Sequence, residues 1–215
     1  MKDHTIAALK VKDAVDNGAR MEVINNGYDK INEWSASIVC PYNDLSCLKG
    51  ILKVMIDKGY SHQNAIGFEE LRDSLDGYQP RPEAIDIAEL YLEAKKPVII
   101  FDQNYITVEA ARLIADIAVV SGHIGKPRRG IVQLKPKNNS QGVADLGVDM
   151  PWENVVDGIK SRKIRGLMSF GEDIPVEYLE GLEFLAVQDL YLTPSGEKAD
   201  VVLPAVSYAE SKGTF

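Results

Sequence analysis

The segment PVIIFDQNYITVEAARLIADIAVVSG, residues 97–122, decides the fold class. Its first five residues are a short branched apolar run, and a polar turn follows them. From residue 107 to residue 121 the apolar positions recur every three or four residues, which is typical of an amphipathic helix that Gly122 ends. A buried strand followed by a helix is the repeating unit of a parallel sheet covered by helices.

The rest of the chain repeats this alternation. Helical periodicity predicts helices at 6–17, 44–58, 82–95, 107–121 and 151–160. Branched apolar runs predict strands at 21–24, 37–39, 97–101, 166–170, 183–187 and 200–204. These runs are apolar on both faces, as buried parallel strands are. We therefore predict an α/β fold with parallel, helix-flanked, Rossmann-like sheets, and a long loop over 122–150, where periodicity is weak.

Composition excludes several classes of protein. The chain has 215 residues, 45% apolar and 26% charged, which is ordinary for a folded soluble protein. Its net charge of -8 argues against nucleic-acid binding, and it has no apolar run long enough for a membrane span. Cys40 and Cys47 form no CxxC pair, so this chain alone predicts neither a zinc site nor an iron–sulfur cluster. Two free thiols fit a reducing cytosol.

Polar residues follow four of the predicted strands. They are Asn25, Asp102–Asn104, Gly171–Asp173 and Gln188–Asp189. The carboxyl ends of parallel strands form the ligand crevice of an open sheet, so a shared binding site is expected there. The alternative is ordinary turn chemistry at each strand end.

The sequence GHIGKPRRG, residues 122–130, is not a phosphate loop. Val120 stands where that motif requires a glycine, and Pro127 follows Lys126 where serine or threonine is required. The chain also has no GxGxxG after a strand and no GxSxG. Motifs alone therefore indicate a binding protein without visible catalytic chemistry.

Several segments, in order along the chain, resemble one family. They are HTIAALKVKDAVDNGARMEVIN (4–25), PYNDLSCLKGILKVMIDKGY (41–60), SGHIGKPRRGIVQLKPKNNSQGVADLG (121–147), GLMSFGED (166–173) and LEFLAVQDLYLTPSGEKADVVLPAVSYAESKGTF (182–215). Together they are similar to the molybdopterin oxidoreductase family, in particular to large subunits of the formate dehydrogenase and NADH:quinone oxidoreductase type. Many formate dehydrogenase subunits carry a longer insertion after the motif that ends at Gly147. In this chain the helix predicted at 151–160 follows almost at once, which resembles large subunits of NADH:quinone oxidoreductases and NAD-linked formate dehydrogenases.

The resemblance implies a fold, a cofactor and partners. It implies domains II–III of the formate dehydrogenase and DMSO reductase type around a bis(molybdopterin guanine dinucleotide) cofactor. Residues 1–95 would form a partial α/β domain on the first dinucleotide side, and 96–215 an α/β domain on the second. Molybdenum or tungsten would be bound, and an iron–sulfur cluster would lie upstream. We expect an internal portion of a subunit, inactive alone, that joins the remainder of that subunit and other electron-transfer subunits. A cytoplasmic protein is expected, with any membrane association through partner subunits.

The resemblance also assigns candidate cofactor-binding residues. Neutral amides can donate to and accept from a pterin, and a carboxylate can accept two N–H groups of a guanine edge. Asp44 and Asp189 are candidates for the guanine contact; the alternatives are a helix cap for Asp44 and a strand-end turn for Asp189. The full set is Asn25, Asp44, Asn138, Asn139, Gln141, Gly142, Asp145, Gly171, Glu172, Asp173, Gln188, Asp189 and Thr193.

Three segments depart from the family pattern. The family commonly has Asp-Pro-Arg at 25–27, Gly-x-Gly-x-Thr near 102–105 and Thr-Glu-Thr-Ala at 193–196, and this chain has other residues there. Asp102 near a diphosphate would disfavour binding through charge repulsion. Two alternatives therefore stand beside a formate dehydrogenase-like function: a pterin-less scaffold of an NADH:quinone oxidoreductase large subunit, and an unrelated nucleotide-binding module.

Overall fold

The computed structural model describes residues 3–25, 29–35, 39–40, 45–61, 65–137, 139–148 and 150–212, with residues 39–40 as backbone only. The chain divides into two compact units, Met1–Pro136 and Lys137–Phe215. The domain boundary that the family resemblance implies lies between residues 95 and 96, and it stays a prediction.

The first unit combines five helices with two pairs of short parallel strands within its described residues. Its elements are α1 (Thr5–Asp16), β1 (Val23–Ile24), β2 (Val39–Cys40), α2 (Leu45–Asp57), α3 (Phe68–Ser74), α4 (Pro82–Glu93), β3 (Val98–Asp102), α5 (Val108–Val120) and β4 (Gly130–Leu134), with 3₁₀ turns at Lys30–Trp34 and Gln103–Tyr105. β1 pairs with β2 and β3 pairs with β4, both in parallel.

The core of the first unit is built on α2. Leu52 and Met55 of α2 are fully buried, and they pack in one cluster with Ile114 and Ile117 of α5. Helix α4 crosses α2 closely, because a Cβ added to Gly50 would lie 2.8 Å from the Cβ of Ala84. The buried positions recur at helical spacing, so the periodicity that predicted the helices also specifies the core.

The predicted helices of the first unit are confirmed to within two residues at each end. Gly59 has a φ of 84°, and Tyr60 N–H donates to the Met55 carbonyl, which is the expected glycine-terminated helix end. The loop predicted over 122–150 is wrong, because β4 and the helix Ser140–Asp145 lie within it. Each of these elements has only five or six residues, too few to show a clear period.

A three-stranded parallel sheet organises the second unit. Its elements are α6 (Ser140–Asp145), α7 (Trp152–Lys160), β5 (Gly166–Phe170), β6 (Phe184–Asp189), α8 (Pro194–Glu197) and β7 (Val201–Pro204), with a 3₁₀ turn at Val176–Tyr178. The strand order is β5-β6-β7. The predicted α/β class with parallel, helix-flanked sheets is thus confirmed in both units.

The two faces of this sheet differ in burial. Leu185 and Val187 of β6 face a small buried cluster with Ile174 and Leu179. Strand alternation and the parallel register place a second set of apolar side chains on the opposite face. This set is 39–63% exposed and comprises Met168, Phe170, Phe184, Val201 and Leu203.

None of the helices in the described ranges is long and apolar enough to cross a membrane. Cys47, at the start of α2, is buried, as predicted.

Candidate functional site

The carboxyl ends of β5 and β6 bring six of the predicted residues to one edge of the second unit. Phe170 pairs with Gln188 in register, and Gly171 N–H donates to the Gln188 carbonyl over 2.8 Å. We call this set the strand-end cluster: Gly171, Glu172, Asp173, Gln188, Asp189 and Thr193. Ends of parallel strands meet here, as the expectation of a ligand crevice requires.

The turn after β5 depends on a glycine and a buried serine. Gly171 has a φ of 62°, a left-handed conformation that favours glycine. Ser169, which is 5% exposed, donates from its hydroxyl to the Glu172 carbonyl over 2.7 Å. These two features fix how the backbone leaves the strand, and they turn Glu172 toward solvent.

Asp173 joins this turn to α8. Its Oδ1 accepts the Ser195 N–H over 3.0 Å. Hydrogen bonds from the backbone and side chain of Ser195 hold the pKa of the Asp173 carboxyl below its usual value. Thr193 begins α8, and its hydroxyl accepts the Gly196 N–H over 3.2 Å. Asp173 and Thr193 are therefore already engaged in holding the local structure.

Asp189 leaves one carboxylate oxygen free. Its Oδ1 accepts the N–H of Leu190 over 2.6 Å and that of Tyr191 over 3.4 Å, so the carboxylate closes the turn after β6. Its Oδ2 has no hydrogen-bond partner in the described part of the chain. The two roles considered for Asp189 are therefore compatible: one oxygen shapes the turn and the other remains an acceptor.

The strand-end cluster is rich in acceptors. It carries three carboxylates, Glu172, Asp173 and Asp189, and no lysine or arginine. A basic run at 160–165, with Lys160, Arg162, Lys163 and Arg165, precedes β5. It therefore lies at the opposite end of the strands from the cluster, where Arg165 pairs with Glu183 over 3.3 Å. Such a site suits a neutral ligand edge that presents N–H donors better than it suits a phosphate.

The amide-rich segment that resembles the family's Asn-Asn-x-Gln-Gly motif forms the exposed helix α6. Gln141 Nε2 donates to Asp145 Oδ1 over 2.6 Å. The Asn139 side chain lies over Gly142, where an added Cβ would clash with Asn139 Oδ1. Gly142 therefore permits the close approach of Asn139, which any larger residue would prevent.

Three further predicted residues are Asn25, Asp44 and Asn138. Asn25 follows β1 in the first unit and is half-buried. Asp44 and Asn138 lie outside the described residues. Whether the candidate residues share one binding site, with Asp44 near Asn139, Gln141 and Asp189, therefore stays a prediction.

The carboxyl end of β3, in the first unit, is closed by its own carboxylate. Asp102 Oδ1 accepts the Asn104 N–H over 2.9 Å. Its Oδ2 lies 3.3 Å from His4 Nε2, in an orientation that makes no hydrogen bond, and the two side chains are only 10% and 16% exposed. Gln133 and Gln103 then bond to each other over 3.0 Å. One carboxylate oxygen of Asp102 and the two glutamine side chains are thus hydrogen-bonded within the chain, and the other Asp102 oxygen faces His4.

Sequence reasoning missed three residues that shape these ends. They are His4, Ser169 and Ser195. Ser169 and Ser195 are the buried polar residues of the described chain, and each had a signal in the sequence. Ser169 is the one polar residue of its apolar run, and Ser195 follows a Thr-Pro pair that is typical of a helix start. His4 had no local signal, because its partner is distant in sequence.

No group of three or more His, Cys, Asp or Glu side chains suited to a metal ion occurs within the described ranges.

Comparison with known proteins gives consistent relatives. No protein-family model matches the chain. It is 27% identical to the F420-dependent formate dehydrogenase subunit alpha of Methanocaldococcus jannaschii, over all of this chain and 41% of that protein. It is 26% identical to formate dehydrogenase H of Escherichia coli, over 99% of this chain and 38% of that protein. It is also 26% identical to the F420-dependent formate dehydrogenase 1 subunit alpha of Methanococcus maripaludis, over 100% and 40%.

The predicted resemblance to formate dehydrogenase large subunits is therefore confirmed along the whole chain. The chain spans about two fifths of the length of these relatives. The first alignment covers 274 positions against 215 residues here, so at least 59 positions are filled only in the relative. The names of these relatives give no support to the NADH:quinone oxidoreductase alternative.

Proposed function

We propose that this chain is a portion of a formate dehydrogenase-like oxidoreductase and helps to hold a molybdopterin guanine dinucleotide. The observation that carries the proposal is the strand-end cluster, an acceptor-rich edge in a chain similar to formate dehydrogenases along its whole length. The proposal includes the finer fold assignment, domains II–III of that enzyme type. It also includes a cytoplasmic parent protein that joins other electron-transfer subunits.

Asp189 is the residue we assign to the guanine. Its free Oδ2 can accept the adjacent N–H groups of a guanine edge, while Oδ1 keeps the carboxylate in place through Leu190 and Tyr191. A carboxylate held by its own turn loses little side-chain freedom on binding. Gln188, half-buried beside it, offers both a donor and an acceptor.

Two residues of the strand-end cluster, Asp173 and Thr193, would support rather than contact the ligand. Side-chain oxygens of Asp173 and Thr193 accept backbone N–H groups at the start of α8, so these two residues hold that edge rigid. Gly171 allows the backbone to approach the ligand without a side chain between them. Glu172 is exposed and stays a proposed contact.

The strand-end cluster suits a guanine base but does not suit a diphosphate. Three carboxylates without a cation would repel phosphate oxygens, so the diphosphate must be held by other residues. The amides of Asn138, Asn139 and Gln141 add no charge and remain our candidates for that contact. When bound, a molybdenum or tungsten pterin centre takes two electrons from the substrate, and the protein positions and tunes it.

The test is a cofactor analysis of the full-length protein that carries this chain. We expect molybdenum or tungsten by elemental analysis, a fluorescent pterin after oxidation, and GMP released by mild acid hydrolysis. The GMP measurement addresses the guanine assignment separately from activity. Protein that contains neither metal nor pterin when expressed in its source organism would refute the proposal.

A further inference from the structure

The amino end of the β3–β4 sheet is formed by two neighbouring segments, 94–98 and 121–130. Gly130 N–H donates to the Pro97 carbonyl over 3.2 Å, and Val98 pairs with Gly130 in register. Because the strands are parallel, both segments enter at the same end of the sheet. Asp102 and Leu134 lie at the other end.

These two segments carry five cations and no acidic residue. We call them the amino-end patch: Lys95, Lys96, Lys126, Arg128 and Arg129. Four of them are exposed, and Arg129 is half-buried. None is ion-paired with an acidic side chain in the described part of the chain. Such a concentration is unexpected in a chain whose net charge is -8.

The positive charge of the patch contributes to the pKa of a neighbouring residue, His123. His123 sits at the base of the second segment, where its ring packs edge-on against Tyr91 with the centroids 5.2 Å apart. Burial, reinforced by the charges of Arg129 and Lys126, holds the pKa of His123 below its usual value. The contact of its half-buried ring with Tyr91 anchors the loop.

The backbone of the second segment has an uncommon conformation. Arg128 has a φ of 63°, which residues other than glycine seldom adopt, and Gly125 and Gly130 also have positive φ values. The conformation places two adjacent arginines, Arg128 and Arg129, in a tight loop between α5 and β4. A non-glycine residue in this region is a reason to ask what the loop does.

Ligand binding at the strand carboxyl ends does not explain these charges. The patch lies at the opposite end of its sheet, so its cations cannot neutralise a diphosphate bound near Asp102. Ile124, 47% exposed, is in the same loop and offers an apolar contact. Arginine beside an exposed apolar residue is typical of a protein–protein interface, and this apolar contact favours a protein partner.

We propose that the amino-end patch docks an acidic face of a protein partner, with Ile124 as the apolar anchor. The inference rests on the charge arrangement of the first unit and holds whether or not the second unit binds a pterin. Opposite charges on the two faces would steer the encounter and fix its orientation.

Zero-length carbodiimide cross-linking of the native complex tests the partner's chemistry directly, because it joins a lysine amine only to a carboxylate in contact with it. The full-length protein is tagged, purified from its source organism after nuclease treatment, cross-linked and mapped by mass spectrometry. We expect links from Lys95, Lys96 or Lys126 to Asp or Glu residues of a co-purifying protein. The basic run at 160–165 provides the matched control, and we expect Lys160 and Lys163 to give no such links.

Charge reversal provides the second arm. Lys126→Glu with Arg129→Glu should lower partner recovery at least about tenfold at physiological salt, since rim charges govern association and its salt dependence. Lys160→Glu with Lys163→Glu should leave recovery unchanged, and circular dichroism should show both variants folded. Recovery of the chain alone, loss of the partner on nuclease treatment, or equal recovery with both variants would overturn the proposal. Metal and pterin content, measured on the same samples, tests the proposed function independently.

Discussion

The carboxyl ends of β3 and β6 carry an aspartate each, and the two aspartates have opposite surroundings. Asp102 is nearly buried, caps the following turn with one oxygen and faces His4 with the other. Asp189 also caps its turn with one oxygen, but its other oxygen has no partner among the described residues. The same residue type at the same point of a parallel strand is thus closed in one unit and open in the other.

This difference bears on the family pattern. The resemblance places a glycine-rich run at the end of β3, and this chain has Asp102–Asn104 followed by Tyr105. The glycine-rich run would expose backbone N–H groups to a diphosphate, whereas Asp102 takes one of them, that of Asn104, for itself. The expectation that Asp102 disfavours an anionic ligand gains a structural reason: the strand end already holds an anion.

The largest expected effect is on the open aspartate. Asp189→Asn keeps an oxygen for the Leu190 N–H but removes the charge and one acceptor. Loss of a charge-assisted hydrogen bond costs about 1.5–3 kcal/mol, so GMP recovered per full-length chain should fall about tenfold or more. Glu180→Gln, which removes an exposed carboxylate of the same unit, is the control and should retain the cofactor. Equal GMP recovery from both variants would mean that Asp189 does not bind the guanine.

The closed aspartate should matter for stability instead. Asp102→Ala leaves the Asn104 N–H without its acceptor and His4 without its facing carboxylate, and we expect the loss typical of a removed cap, about 0.5–2 kcal/mol in the free energy of unfolding. Urea titration of the full chain measures this loss. Asp102→Asn keeps the cap and should lose less. If Asp102→Ala unfolded at the wild-type urea concentration, the comparison between the two strand ends would fail.

The smallest effect concerns pH and the carboxylate that joins β5 to α8. The folded-state pKa of Asp173 lies below the ordinary value of 3.8 because of its bonds from Ser195. Because the pKa is lower in the folded state, the ionised carboxyl stabilises the fold at pH values above the unfolded-state pKa. This contribution is lost as the pH falls through the folded-state pKa. The stability difference between wild type and Asp173→Asn should therefore be constant from pH 5 to 7 and shrink below about pH 4. Chemical denaturation at several pH values measures it, and a difference that grew on acidification would contradict the assignment.

Much of the fold was predictable because its signals are local. The spacing of apolar residues marked α2, α4 and α5, and the glycine at position 59 marked a helix end that the structure shows. β4 and α6 were missed because elements of five or six residues carry too little periodicity. Short-range hydrogen bonds, such as those of Asp189 to the next two residues, also follow from a sequence turn signal.

The sequence by itself determined the alternation of strands and helices, the polar character of the strand ends and the resemblance to formate dehydrogenase large subunits. Only the tertiary structure decided which strand end is closed. His4, near the start of the sequence, contacts Asp102. Ser195, which follows β6 in the sequence, donates to Asp173, which precedes β6. Such contacts depend on how distant segments pack, and local propensity carries no information about them. The same holds for the amino-end patch, because two basic segments well separated in sequence become neighbours only when β3 and β4 pair.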